Sequence, residues 1–482
     1  MSALFPALQK GGSDRVALAF PDRSLTYAQL AAAAGRVAAQ LAGTGRAAVI
    51  AEPRIETAVA AVGALQAGVP LVPINPKSGS SELAHIAADA APEVLLVALG
   101  TEVPEALAEL RRAVIDLDGV HGVAPASPAD GQDDDPALIV YTSGTTGAPK
   151  GAVMPRRAIA SNLDALADAW GWTESDIVAH ALPLFHVHGL VIGILGPLRR
   201  GGRAMHLGRF SPEAVTEALA GEATMLFGVP TMYRRLADAA EESRPLAEAL
   251  ASARLLVSGS AALPAAEHAR LERLTGRTVV ERYGMTETLM NTAIRADGEP
   301  APGTVGPPLK GVDVRLVDDD GAELDARDDE TIGELQVRGP NVFLGYLNRP
   351  DATAEALRDG WFATGDMATR RADGYIRLVG RRATDLIKSG GYKIGAGEIE
   401  GSLREHPAVA DAAVTGEPDD DLGERVVAWV VLRDGQTAEE QELVDHVAEQ
   451  LAPHKRPRIV HLLDDLPRNE MGKVQKKRLG TE

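Results

Sequence analysis

The sequence contains no cysteine. Disulfides, a thiolate nucleophile and cysteine-ligated zinc or iron–sulfur sites are thereby excluded, and any thiol chemistry must use a thiol brought from outside. Aromatic residues make up only 4% of the chain, so its cores must be aliphatic. No apolar run approaches the length of about 18 residues that a membrane-spanning helix needs. The opening stretch, MSALFPALQKGGSDR, lacks the basic start and long apolar segment of a signal peptide. Positive charge is also short: 49 Lys and Arg stand against 68 Asp and Glu, a net charge of −19. Such an acidic chain is a poor non-specific partner for nucleic acid or an anionic membrane. An anionic ligand must then be held by local cations, Mg²⁺ or backbone N–H groups. Together these absences point to a cytoplasmic protein with small-molecule partners, no nucleic acid and no membrane span; they leave its oligomeric state open.

What is present is strand–helix alternation over 482 residues, too many for one ordinary core. YAQLAAAAGRVAAQLA (27–42) and ETAVAAVGALQAG (56–68) have helical spacing, while AAVIAE (47–52), VPLVPI (69–74) and EVLLVA (93–98) are buried-strand runs. After the Pro/Ala/Gly/Asp connector at 123–136 the same alternation resumes. From about 310 the texture shifts to short antiparallel strands. A last segment of strands and helices is long enough for a small domain. We therefore expect an α/β fold, with a large domain over 1–382 and a small α+β domain over 383–482.

Residues 141–151, YTSGTTGAPKG, follow the apolar run ALIVYT. Gly144, Gly147 and Gly151 let the backbone turn and approach a ligand; Thr142, Ser143, Thr145 and Thr146 add hydroxyls and Lys150 adds charge. Successive N–H groups in such a loop can cradle an anion. A P-loop does not fit, because Lys150 is followed by Gly151 rather than Ser or Thr.

The loop instead resembles the signature of the adenylate-forming superfamily of acyl-CoA synthetases, luciferases and peptide-synthetase adenylation domains. Further stretches resemble that family's motifs in order: SGSAAL (258–263), ERYGMTE (281–287), TGD (364–366), GRRATDLIKSGGYKI (380–394) and PRNEMGK (467–473). The resemblance implies a large domain of α/β subdomains with a distorted β-barrel, and a small mobile C-terminal domain. It also implies ATP, Mg²⁺ and coenzyme A: a carboxylate attacks the α-phosphorus of ATP, and a thiol then takes the acyl group.

Site residues carry over motif by motif. The loop Thr142–Gly147 with Lys150 would hold the β- and γ-phosphates. Gly259, Ser260 and Ala261 would line the adenine pocket, with Tyr283 and Gly284 beside it and Glu281 at the adenine edge. Glu287 would anchor Mg²⁺, and Thr286 would meet the α-phosphate. Asp366 would accept the ribose hydroxyls. Counting from either end of GRRATD selects Arg381 or Arg382 for a ribose or phosphate contact; Arg382 is favoured. The family's hinge residue falls at Thr384, a departure. Lys473 would bridge carboxylate and α-phosphate in the first half-reaction. Gly391 would line the pantetheine tunnel in the second, with Lys388 and Lys393 on the same stage.

The acid pocket would be formed near 184–190, 225–235, 258–262 and 282–290. Here His186, Val187, Arg235, Arg282 and Met285 are the candidates. A buried Arg needs an anionic partner, and a second substrate carboxylate would supply one. Pairing of Arg235 and Arg282 with Glu281 or Glu287 is the competing reading. ERYGMTET with VPTMYRRL and FHVHGL resembles malonyl-CoA synthetases, which accept malonate and often methylmalonate. Another short-chain acid ligase, or an adenylating enzyme that loads a carrier-protein thiol, is the alternative.

Overall fold

The computed structural model describes residues 4–9, 13–118, 131–142, 149–382, 385–390, 392–468 and 474–480, with the Lys393 side chain left out. The apolar runs fall where the sequence puts them. The helices Tyr27–Gln40 and Ile55–Ala67 alternate with the strands Ala47–Ile50, Leu71–Ile74 and Val94–Ala98. Thr26 begins the first helix through a capping box with Gln29, and Gly68, at φ 69°, ends the second in a left-handed turn.

These strands belong to a seven-stranded sheet. Its order runs Gly345–Tyr346, Lys150–Pro155, Pro136–Thr142, Leu71–Ile74, Ala47–Ile50, Val94–Ala98, Arg111–Ile115. Ala47–Ile50 and Leu71–Ile74 are buried at every position, as expected of parallel strands covered on both faces. At the other end of the sheet Pro136–Thr142 and Lys150–Pro155 form an antiparallel hairpin.

A second sheet has eight strands. Leu255–Ser258 lies between Met225–Gly228 and Val279–Met285, all parallel, and Leu289–Ala293 closes that edge antiparallel. The antiparallel unit expected as a distorted barrel is a five-stranded sheet. Gly333–Arg338 and Trp361–Arg370 form its centre, and Ile376–Arg381 pairs with the latter.

Beyond it, Ile387, Ile394, Ile399, Val414, Val430 and Val460 build a separate apolar core, drawn only from residues 387–460. The strand Ile459–Leu463 adds parallel to Gly423–Leu432, completing a five-stranded sheet backed by two helices. Arg234 of the large body donates to Ala410 O of this small one at 3.1 Å.

One element has no counterpart in the sequence reading. His188–Leu195 is a π-helix, buried throughout. Its run HGLVIGIL is apolar all round, so periodicity gives no sign of the wider turn. Such turns are rare and concentrate at functional sites.

Candidate active site

The site is organised by one hairpin, Val279–Met285 and Leu289–Ala293, joined by the turn at 286–288. A Cβ at Gly284 would come within 2.0 Å of Leu289 O, so only glycine fits there. Leu289 itself sits at φ 51°, a strained value for a branched residue. Buried Asn side chains hold the hairpin in place. Asn162 donates to Met290 O (2.6 Å) and accepts from its N–H (3.1 Å), while Asn341 donates to Thr288 O (2.6 Å). The tight turn presents half-buried Thr286 and buried Glu287.

Around Tyr283 the polar groups are paired. The Tyr283 hydroxyl donates to Asp366 Oδ2 at 2.5 Å, and Arg381 Nε lies 2.8 Å from Oδ1. Burial first, then the Asp366 charge, holds the Tyr283 hydroxyl well above its ordinary pKa, so it stays a donor. Asp366 is thus fixed from two sides, with its backbone N–H bound by Thr364 Oγ1. This reverses the preference between the two arginines. Arg382 points away, to Asp319 (2.6 Å) and Glu334 (3.1 Å), and Arg381 is the one that reaches the site. Arg381 is the last residue of the strand and stands opposite Asp366, while Arg382 begins the turn beyond it.

Glu281 also departs from expectation. Its Oε1 accepts from Leu263 N–H (2.8 Å) and its Oε2 lies 3.0 Å from His268 Nε2. Both oxygens are engaged inside the fold, so Glu281 supports the loop carrying Gly259, Ser260 and Ala261 rather than standing free for an adenine edge. Ser260 and Ala261 on that loop are exposed, Ser260 at φ 72°.

Glu287 accepts from the Tyr346 hydroxyl at 2.8 Å, and Lys150 Nζ stands 4.3 Å from the centre of the Tyr346 ring. Tyr346 therefore ties the metal candidate to the end of the phosphate-loop hairpin. No sequence motif marks it; its place comes from the pairing of Gly345–Tyr346 with Ala152 and Val153. Thr142 and Lys150 face each other at the mouth of that hairpin. Gly151 is not a turn residue, as its spelling suggested. It lies in the strand opposite Tyr141, where a Cβ would come within 3.1 Å of the Tyr141 ring. Ser143, Gly144, Thr145, Thr146 and Gly147 lie outside the described residues, as do Thr384, Gly391 and Lys473. Lys388 is exposed, its backbone N–H bound by Glu424 (2.6 Å), in register with Lys393.

On the other side of Tyr283 the polar groups are unpaired. Arg282 is 5% exposed, and neither its Nε nor its Nη2 has a hydrogen-bond partner. Glu281 and Glu287 are committed to His268 and Tyr346, so the internal pairing considered from sequence does not form. Burial alone pushes the Arg282 guanidinium down to about 10. It lies flat on Gly259, where a Cβ would come within 2.2 Å of its Cζ. Beside it is His188, the first residue of the π-helix, buried with both ring nitrogens unpartnered. Burial and then the Arg282 charge, with smaller contributions from His180 and His186, hold His188 neutral. His186 is half-buried against Phe185 (4.4 Å), Val187 is buried and Met285 is half-buried. Arg235 is exposed, its guanidinium 5.9 Å from the Phe210 ring centre, and among the described residues no contact joins it to Arg282. His188, in the FHVHGL stretch, is the group set beside Arg282, while Arg235 lies against Phe210.

Among the described residues no group of three or more His, Asp or Glu could hold a metal. A lone carboxylate at Glu287 fits Mg²⁺, which takes one or two protein carboxylates and fills its shell with phosphate and water. No helix among the described residues is long and apolar enough to cross a membrane.

Comparison with known proteins places these features in context. Residues 5–347 match the family described as AMP-binding enzyme, and residues 398–473 match the AMP-binding enzyme C-terminal domain. The human mitochondrial malonate–CoA ligase ACSF3 is 39% identical over 388 residues, 73% of this chain and 66% of that protein. The chain thus spans just under two thirds of that relative. A malonyl-CoA ligase in a ternary product complex with methylmalonyl-CoA and AMP is 61% identical, covering 96% of this chain and 100% of that one, with a TM-score of 0.75. ATP-bound MatB from Rhodopseudomonas palustris is 37% identical over 98% of this chain and 97% of its own, with a TM-score of 0.89.

Proposed function

The chain belongs to the AMP-binding enzymes, and from that premise we propose that it is an ATP-dependent acid–CoA ligase for malonate and methylmalonate. The observation that carries the choice of acid is Arg282. A guanidinium buried without a partner is costly, and a carboxylate is the ligand that relieves it, through paired N–H donors. A monocarboxylate spends its one charge on the α-phosphorus. Only a diacid brings a second carboxylate to Arg282. Neutral His188 adds a donor without adding charge. The half-buried Met285 and buried Val187 leave the rest of the pocket apolar, in keeping with a 2-methyl group.

In the first half-reaction an oxygen of the free carboxylate attacks the α-phosphorus, forming the oxygen–phosphorus bond of the acyl-adenylate while the bond from that phosphorus to pyrophosphate breaks. All partners are anions, so catalysis is positioning and charge stabilisation. Asp366, aimed by Tyr283 and Arg381, would take the ribose. Lys150 and the loop before it would grip pyrophosphate. Lys473 would bridge the carboxylate and the α-phosphate, and Thr286 would meet that phosphate from the turn. Mg²⁺, bound through Glu287, would screen charge on the phosphate oxygens. In the second half-reaction the sulfur of coenzyme A attacks the acyl carbon, and AMP leaves. The chain has no thiol of its own for this step.

The small domain is taken to change its position between the two halves, with Lys388, Gly391 and Lys393 serving the second. The comparisons support this in one respect. The 61% identical product complex superposes less well, at 0.75, than the 37% identical ATP-bound chain, at 0.89. Similar parts set at a different angle would give that inverted order, which is the support for a small domain that changes position.

The test is a panel of mono- and dicarboxylic acids with ATP, with and without coenzyme A, following AMP and thioester. Malonate and methylmalonate should lead the panel, with thioester formed only when coenzyme A is present. A monocarboxylate in first place would overturn the assignment of the acid.

A further inference from the structure

The helix Ser80–Ala90 lies outside every motif, yet it touches both stems of the phosphate loop. His85 and Asp89 are four residues apart and so share one face of the helix. His85 Nε2 lies 2.8 Å from Pro149 O, at the end of the loop. Asp89 Oδ2 accepts from the Tyr141 hydroxyl, at its start, at 2.7 Å. The Tyr141 ring meets the His85 ring edge-on at 6.3 Å and lies across Gly151 on the opposite strand. Burial, then the bond to Asp89, holds the Tyr141 hydroxyl protonated, which keeps it a donor. Asp89 reaches further still. Asn348 donates to Asp89 O at 2.9 Å and to Asp89 Oδ1 at 3.1 Å. Asn348 follows Tyr346 by two residues, and Tyr346 holds Glu287 and lies against Lys150. One carboxylate therefore joins the beginning of the loop to the segment that positions Glu287 and Lys150.

We infer that His85 and Asp89 form a clamp that positions the loop for the β- and γ-phosphates of ATP without touching the nucleotide. The inference rests on the ATP-binding half of the proposed function and is independent of which acid is used. Each partner of the pair fixes a different stem. Losing either frees one stem, with Thr142 or Lys150 at its end, and misplacement of about 1 Å can cost as much as about 100-fold at a site built on positioning.

AMP lacks the two outer phosphates, which makes it the internal control. Binding of ATP and of AMP to the full chain would be measured by calorimetry for His85→Ala, Asp89→Ala, Asp89→Asn and Tyr141→Phe. Both alanine variants should weaken ATP about 10-fold and leave AMP unchanged. Asp89→Asn, which keeps an acceptor oxygen, should recover most of the loss, and Tyr141→Phe should reproduce part of it. The inference is overturned if ATP affinity is unchanged in both alanine variants. It is equally overturned if ATP and AMP weaken together, since that marks general damage to the domain. A preference for a monocarboxylate in the acid panel would sink the malonate assignment and leave this result standing.

Discussion

Tyr283 and Arg282 are neighbours on one strand, yet their surroundings are opposites. Tyr283 faces a finished cluster, in which Asp366, Arg381 and the tyrosine hydroxyl satisfy one another before any ligand arrives. Arg282, one residue earlier and turned to the other face, has two unpartnered nitrogens and a histidine beside it with two more. A pre-paired cluster can be rigid and general, which suits a nucleotide common to every turnover. An unpaired cluster is paid for in stability and can be completed only by a ligand of matching charge. On the proposed assignment, generality and selectivity lie back to back on a single strand.

The largest effect should come from removing the unfinished side. Arg282→Ala would lower kcat/KM for malonate by about 100-fold or more, as for other truncations of a buried charged partner. Monocarboxylates should lose nothing, and their small activity should rise relative to malonate. Steady-state kinetics with malonate and propionate checks this. Unchanged malonate kinetics would mean that the unpaired guanidinium has another purpose.

A smaller effect is expected on the finished side. Arg381→Ala removes one of two groups that aim Asp366, so KM for ATP should rise about 10-fold, in the range of a lost charge-assisted hydrogen bond. Arg382→Ala, which loses only exposed bonds to Asp319 and Glu334, should change it little. Equal effects of the two substitutions would erase the distinction between them.

That distinction also marks how far the sequence could be read. The strand runs and helices of both domains, and the order of the motifs, were legible because apolar periodicity and turn residues are local signals. Counting through GRRATD could not choose between Arg381 and Arg382. The choice depends on how Ile376–Arg381 pairs with Trp361–Arg370, which places Arg381 opposite Asp366. Arg235 looked equivalent to Arg282 as a spare cation in a pocket segment, but its side of the helix Pro230–Glu242 is set by packing of Tyr233, Leu236 and Ala237. Tyr346 and the partners of Glu281 are long-range contacts with no local mark. His188 stood out in FHVHGL as a polar residue, but its burial at the start of a π-helix had no sign in the apolar run that follows it. Arg282 alone was legible from both directions: a charged residue between Glu281 and Tyr283 in a strand that the motif already tied to the site.

The smallest effect is also the one with the reversed sign. Replacing a buried, unpaired charge with a flexible apolar side chain of similar length removes a desolvation cost. Even replacing a whole buried ion pair with apolar residues can be neutral or stabilise by about 1–4 kcal/mol. Arg282→Met should therefore raise the melting temperature of the ligand-free protein by a few degrees while abolishing malonate selectivity. Asp366→Asn on the finished side should lower it, because it leaves Arg381 without its charge partner. The pH dependence follows from the depressed pKa. Below about 10 the folded protein carries the full cost of the buried cation. As pH rises through about 10 the folded guanidinium gives up its proton while the unfolded one keeps it, so the cost is relieved. The gap in melting temperature between Arg282→Met and the parent protein should be widest near neutral pH and narrow above that point. Malonate should close the same gap at neutral pH by supplying the missing carboxylate, and propionate should not. Thermal melts of the two proteins with and without each acid would show whether the unfinished side of the strand is completed by a second carboxylate.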